Sequence, residues 1–142
     1  MDWVPLLFVT LATVCDLKSR EVPDSIALSL LGWSIVATSI GWHDVGYGSM
    51  LGGFAMGLGL SVIPYALGGL GGGDVKIVAA LGAAIGHAAI LPLLFWIAIS
   101  GAALSVLALL RGRHDMAYLP AIAFGLLIFL LRQGLPGHAG SF

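Results

Sequence analysis

Cysteine occurs once in the 142 residues, at Cys15, which excludes an internal disulfide and any zinc site built on paired cysteines. Charge is scarce as well: Asp, Glu, Lys and Arg make up 9% of the chain, and the net charge is −1 with His neutral. Without a basic excess there is no field to gather nucleic acid, so binding to it is not expected. The four histidines, His43, His87, His114 and His138, fall in different loops or tails and share no ligand spacing. Neither a metal nor an organic cofactor is therefore expected. What abounds is apolar, with 59% hydrophobic residues and a mean hydropathy of +1.05, outside the range of soluble globular domains. The lipid bilayer is the expected surrounding.

Cutting the chain at charges, glycine clusters and prolines gives six apolar stretches, at 3–18, 24–41, 49–67, 74–87, 90–110 and 117–132. The expected fold class is all-α, a polytopic membrane bundle of about six transmembrane helices in one domain spanning 1–132. A flexible tail, 133–142, follows. Ile77 to Leu110 contains no Asp, Glu, Lys or Arg. Gly86, His87 and Pro92 mark the expected turn within it, because a spanning helix needs only about 20 residues. The first stretch ends in Leu11-Ala12-Thr13-Val14-Cys15, superficially a lipoprotein signal. It has no Lys or Arg before it, carries Asp2, and has bulky Val14 where processing wants a small residue, so it reads as a permanent helix.

Lys and Arg stay on the cytoplasmic side of short loops. Lys18, Arg20, Lys76, Arg111 and Arg113 all fall on one side of a six-helix zigzag, and only Arg132 falls opposite. Trp3, Trp42 and Tyr47 become aromatic anchors of the outer interface, with both termini outside the cytoplasm. Small residues at helical spacing (Gly48, Gly52; Gly53, Gly57; Ala79, Ala83; Gly82, Gly86) read as packing positions where backbones approach closely in lipid.

With so few charges, each acidic residue can be weighed singly. Asp2, Asp44 and Asp115 sit in terminal or loop positions, Glu21 belongs to a polar connector, and Asp24 is an N-cap candidate for the second helix. Asp16 differs. The residues from Trp3 to Cys15 climb only ~20 Å at about 1.5 Å each, against a hydrocarbon core of ~30 Å, which places Asp16 at membrane depth. Asp74 ends the run Gly68-Gly69-Leu70-Gly71-Gly72-Gly73 and begins a short helix on the same side. An ionisable group inside a membrane is costly enough to suggest function with a partner, and each aspartate names the other.

Two carboxylates in one low-dielectric site do not both ionise comfortably, so one holds a proton while the other stays charged. The charged one can take a proton from a water attacking a peptide carbonyl, and the protonated one can donate to the carbonyl oxygen. Glycines beside the pair let an extended substrate backbone approach; helix packing or a plain hairpin turn is the competing reading of that run. A phosphate loop is not, since no Gly-Lys-Ser/Thr follows and no strand precedes. Lys76 reads as a boundary anchor that can also favour the ionised form of a nearby aspartate.

The segments Asp16-Leu17-Lys18-Ser19-Arg20-Glu21-Val22-Pro23-Asp24 and Gly71-Gly72-Gly73-Asp74-Val75-Lys76 strongly resemble the type IV prepilin peptidase family, the Gly-x-Gly-Asp intramembrane aspartyl proteases. Ala79-Ala80-Leu81-Gly82-Ala83 and Pro120-Ala121-Ile122-Ala123-Phe124-Gly125 extend the likeness over most of the chain. The resemblance implies catalytic aspartates at Asp16 and Asp74, motif glycines at Gly71 and Gly73, and Lys76 within the substrate-side motif. It implies a prepilin or pseudopilin substrate cut on the cytoplasmic side of the inner membrane, for type IV (Flp-like) pilus assembly or type II secretion. Asp24 departs from the pattern, which usually has asparagine there. The chain resembles the short tight-adherence (Flp) members that lack the Cys-pair region of the bifunctional enzymes, so N-methyltransferase activity is not expected. Two rival classes stand beside this reading: a non-catalytic scaffold of a pilus or secretion complex, and a proton or ion transporter. Transport would call for polar groups near the midplane on several helices, whereas these charges gather at one face. The oligomeric state and the particular pilin are not legible.

Overall fold

Six α-helices and no strands make up the described residues of the computed structural model, which are 3–19, 23–42, 44–110 and 118–133. They are α1 (Val4–Ser19), α2 (Asp24–Ile40), α3 (Tyr47–Ala66), α4 (Gly72–Ile85), α5 (His87–Leu110) and α6 (Leu119–Gln133). Arg20, Glu21, His43, Arg111, Arg113, His114, Asp115, both ends of the chain and the tail from 134 lie outside the described residues.

Packing follows from where the small residues fall. A Cβ added to Gly53 would overlap the Gly82 carbonyl, one on Gly82 would overlap that of Gly53, and one on Gly57 would lie 2.7 Å from the Val78 carbonyl. The α3 and α4 backbones therefore touch directly and run antiparallel, as the small-residue pattern anticipates. Gly125 does the same for α6 against Ile97 of α5. Gly48 has open space around it and takes no part.

The α4 helix is central, packed against α1, α2, α3 and α5. From Asp74 to Ala84 every residue except Lys76 is buried. Its Ile77 and Leu81 join Val9 of α1, Leu30 of α2, Ile90 and Leu93 of α5, and Ile122 and Leu126 of α6 in one core. The outside is apolar too: Leu7, Leu11, Val14 and Leu17 form an exposed stripe along α1, and Leu51, Phe95 and Phe124 are exposed on other helices. So large an apolar exterior suits lipid rather than water. Tyr47–Ala66 and His87–Leu107 are each long and apolar enough to cross a membrane, which is consistent with a helical membrane bundle.

Two details depart from the sequence reading, the break between α4 and α5 and the cap of α2. The α4–α5 break is at Gly86 alone, where φ is +83° and a side chain would strike the Ser49 hydroxyl. His87 opens α5, its backbone N–H donating to Ser49 Oγ at 3.3 Å, and Pro92 lies inside that helix instead of ending it. Neighbouring helices in a bundle absorb such a proline. Asp24 is not the N-cap of α2: Pro23 holds that position without a side-chain bond, and Asp24 is the first helical residue. Finally, Arg132, the basic residue opposite the others, lies 5.4 Å from the centroid of the Trp96 ring, whose face is attractive to a cation.

Candidate active site

The glycine run divides into two working parts. Its first part closes α3: the Gly68 N–H donates to the Tyr65 carbonyl at 3.0 Å and the Gly69 N–H to that of Pro64 at 2.9 Å. This is a Schellman ending with Gly68 at φ +76°, a conformation that glycine adopts without penalty. The second part opens α4 at Gly72, so the hairpin-turn reading of the run is correct for its first half, and Gly72 and Gly73 form a first turn that the sequence reading had placed outside the helix.

That turn fixes Asp74. The residue is only 6% exposed, and its Oδ2 accepts the Gly71 N–H at 3.1 Å. The bond is half of a capping box, since Gly71 has no side chain to return it. A carboxylate here also faces the positive end of the α4 dipole. A Cβ on Gly71 would press to 3.1 Å from the same Oδ2, so a glycine at 71 leaves the carboxylate its position. Gly73 is half-buried beside it.

Asp16 arrives from α1. Pro5, Val9 and Ala12 form the buried stripe of that helix, and Asp16 continues it one turn further on. The helix runs on to Ser19, so Asp16 is a helical residue and not a loop residue. It is partly exposed and near enough to Asp74 for the two carboxyl groups to interact electrostatically. The structure thus brings together Asp16, Asp74, Gly71 and Gly73. Lys76 is directed elsewhere: its Nζ donates to Asp24 Oδ1 at 2.6 Å, an α2–α4 pair in which both side chains are more than half exposed.

One residue near the pair has no counterpart in the sequence reading. Tyr118, just before α6, is half-buried and within electrostatic reach of Asp74. Nothing in the sequence announces it, because an aromatic residue beside an apolar stretch reads as an interface anchor. Among the described residues no three His, Cys, Asp or Glu gather in a way that could hold a metal ion.

The arrangement is two carboxyl groups, one buried and one accessible, at one end of an all-helical, lipid-adapted bundle. Such a pair can share a proton and act as base and acid in turn. Residues 3–106 match the type IV leader peptidase family, and the chain belongs to that family. It is similar to the "Prepilin leader peptidase/N-methyltransferase" of Pectobacterium carotovorum subsp. carotovorum, with 35% identity over 126 residues, covering 84% of this chain and 44% of the relative. The protein of the same name from Bacillus subtilis (strain 168) is 31% identical over 134 residues, covering 91% of this chain and 53% of the relative. The chain spans about half the length of these curated relatives. No solved structure matches it.

Proposed function

We propose that this protein is an intramembrane aspartyl endopeptidase that removes the leader peptide of prepilins or pseudopilins. The cut falls at the cytoplasmic face of the inner membrane, and the product serves type IV (Flp-like) pilus assembly or type II secretion. The observation that carries this reading is that Asp16 and Asp74 lie within electrostatic reach of each other at one end of the bundle. Membership of a leader peptidase family supports the substrate class.

In the proposed reaction the ionised aspartate takes a proton from water as its oxygen attacks the scissile carbonyl, and the protonated partner donates to the carbonyl oxygen. Collapse of the gem-diol breaks the C–N bond: one hydroxyl returns its proton to the pair as the carbonyl re-forms, the departing amine takes a proton from the pair, and the carboxyls again share one proton. Gly71 and Gly73 let the extended substrate approach Asp74, and Lys76 lies on the substrate side of the membrane boundary. No metal or organic cofactor enters the scheme. The proposal is confined to the peptidase: no N-methyltransferase activity is assigned to these 142 residues. The basic residues Lys18 and Lys76 support the cytoplasmic placement of this end, with both termini on the other side.

The scaffold reading has one observation in its favour, the capping bond from Gly71 to Asp74, which gives that carboxyl a structural task without any chemistry. Co-expression with prepilins from the same genome separates the two. Asn retains an oxygen for the Gly71 N–H but cannot act as an acid or base. Asp74→Asn and Asp16→Asn are expected to accumulate in the membrane as the wild type does and to leave the leader uncut. Leader removal at the wild-type rate by either variant would refute the aspartyl mechanism, and a wild type that leaves the leader uncut would leave only the scaffold.

A further inference from the structure

The start of α6 is fastened to its neighbours on both sides. Thr13 of α1, one turn before Asp16, donates its hydroxyl to the Leu119 carbonyl at 3.4 Å, and Ser100 of α5 donates to the Ala121 carbonyl at 2.7 Å. The Tyr118 carbonyl accepts the N–H groups of Ala121 and Ile122 at 2.9 and 3.3 Å, which fixes its backbone as the first cap of the helix. Its ring lies over Gly101. A Cβ there would meet the phenol oxygen at 2.8 Å and ring carbons at 3.1 and 3.2 Å, so this tyrosine occupies the space a side chain on α5 would take. The hydroxyl is thus held by packing, not by its own flexibility, at the end of the bundle that carries Asp16 and Asp74.

The hydroxyl's electrostatic reach to Asp74 comes without a hydrogen bond between them. A donor held this way is suited to a group that arrives between the two. We infer that Tyr118 is a third catalytic residue, its O–H donating a hydrogen bond to the scissile carbonyl oxygen of the substrate as that oxygen gains negative charge. The phenol keeps its proton throughout, and the proton transfers remain with the two aspartates. The preorganisation has a physical advantage: a donor already positioned by Gly101 and the fastened α6 start costs no rearrangement when the charge develops. This inference rests on the peptidase reading above.

The test uses the full chain in proteoliposomes with a prepilin from the same genome as probe. Tyr118→Phe keeps the ring over Gly101 and removes only the hydroxyl. Its kcat is expected to fall by about 10²- to 10³-fold, the loss typical of one oxyanion donor, with KM changed less than about twofold. A merely structural role would not produce that split. As a second readout, the pH–rate profile of Tyr118→Phe is expected to keep the wild-type shape at its lower rate, because the titrating groups are the two aspartates and the phenol keeps its proton. Full activity of Tyr118→Phe, or a pH–rate profile that changes shape, alongside inactive Asp74→Asn, would overturn the role of Tyr118 and leave the peptidase intact. Activity of Asp16→Asn or Asp74→Asn in the same vesicles would instead remove the reaction on which the inference depends.

Discussion

Alanine at Gly57 and alanine at Gly59 are expected to change stability differently, although the two residues stand two apart on α3. Both substitutions improve helix propensity by roughly 1 kcal/mol, because glycine is the more costly residue in a helix interior. At Gly59 the new methyl meets nothing within 4 Å. At Gly57 it falls 2.7 Å from the Val78 carbonyl and 3.3 Å from the Ala79 Cα, both backbone atoms of the central helix. Only a shift of α3 from α4 relieves that overlap, and overpacking of this kind costs about 1–3 kcal/mol. Since the propensity gain is common to both, the difference between the variants isolates the overlap. Gly57→Ala should therefore be about 1–3 kcal/mol less stable than Gly59→Ala. Tryptophan fluorescence during SDS-induced unfolding in mixed micelles can follow this, the chain having four tryptophans. Equal stabilities would refute the claim that α3 and α4 meet backbone to backbone.

Asp74→Ala loses both the acid and the acceptor for Gly71, so it should be inactive and about 1 kcal/mol less stable than Asp74→Asn, which loses only the acid; unfolding and cleavage measured together check this. Breaking the exposed Lys76–Asp24 pair should cost less than about 1 kcal/mol, and the coupling in a double-mutant cycle with Lys76→Gln and Asp24→Asn should shrink in high salt. Ser100→Ala removes the bond to the Ala121 carbonyl and should lower stability by about 0.5–1.5 kcal/mol in the same SDS titration.

Hydropathy made the six helices legible because among the described residues nearly every apolar one is helical, whether it faces the core or the outside. Helix ends were less so. Pro92 looked like a breaker, yet it is accommodated inside α5, while the true break needed only Gly86 at positive φ. The first turn of α4 was hidden in Gly72 and Gly73, since glycine signals a loop even where it forms a helix. Asp24 was mistaken for a cap because its partner, Lys76, is 52 residues away and belongs to another helix.

Of the site, the two aspartates stood out because charge is so rare along the chain. Asp16 was legible from its depth on α1, and Asp74 from its place after the glycines. Tyr118 was not, because its setting depends on Gly101, Thr13 and Ser100, which sequence spacing does not connect. Such contacts exist only once α1, α5 and α6 have packed.

The most direct measurement compares initial rates of leader removal by wild type, Asp16→Asn, Asp74→Asn and the double variant, reconstituted at equal density with a prepilin from the same genome. If the two carboxyls act as one acid–base unit, either single substitution removes the whole contribution, and the double variant is no slower than the singles. A single variant that still cuts within about tenfold of wild type, or a double variant slower by the product of two partial losses, would mean that the carboxyls work separately and would contradict the account.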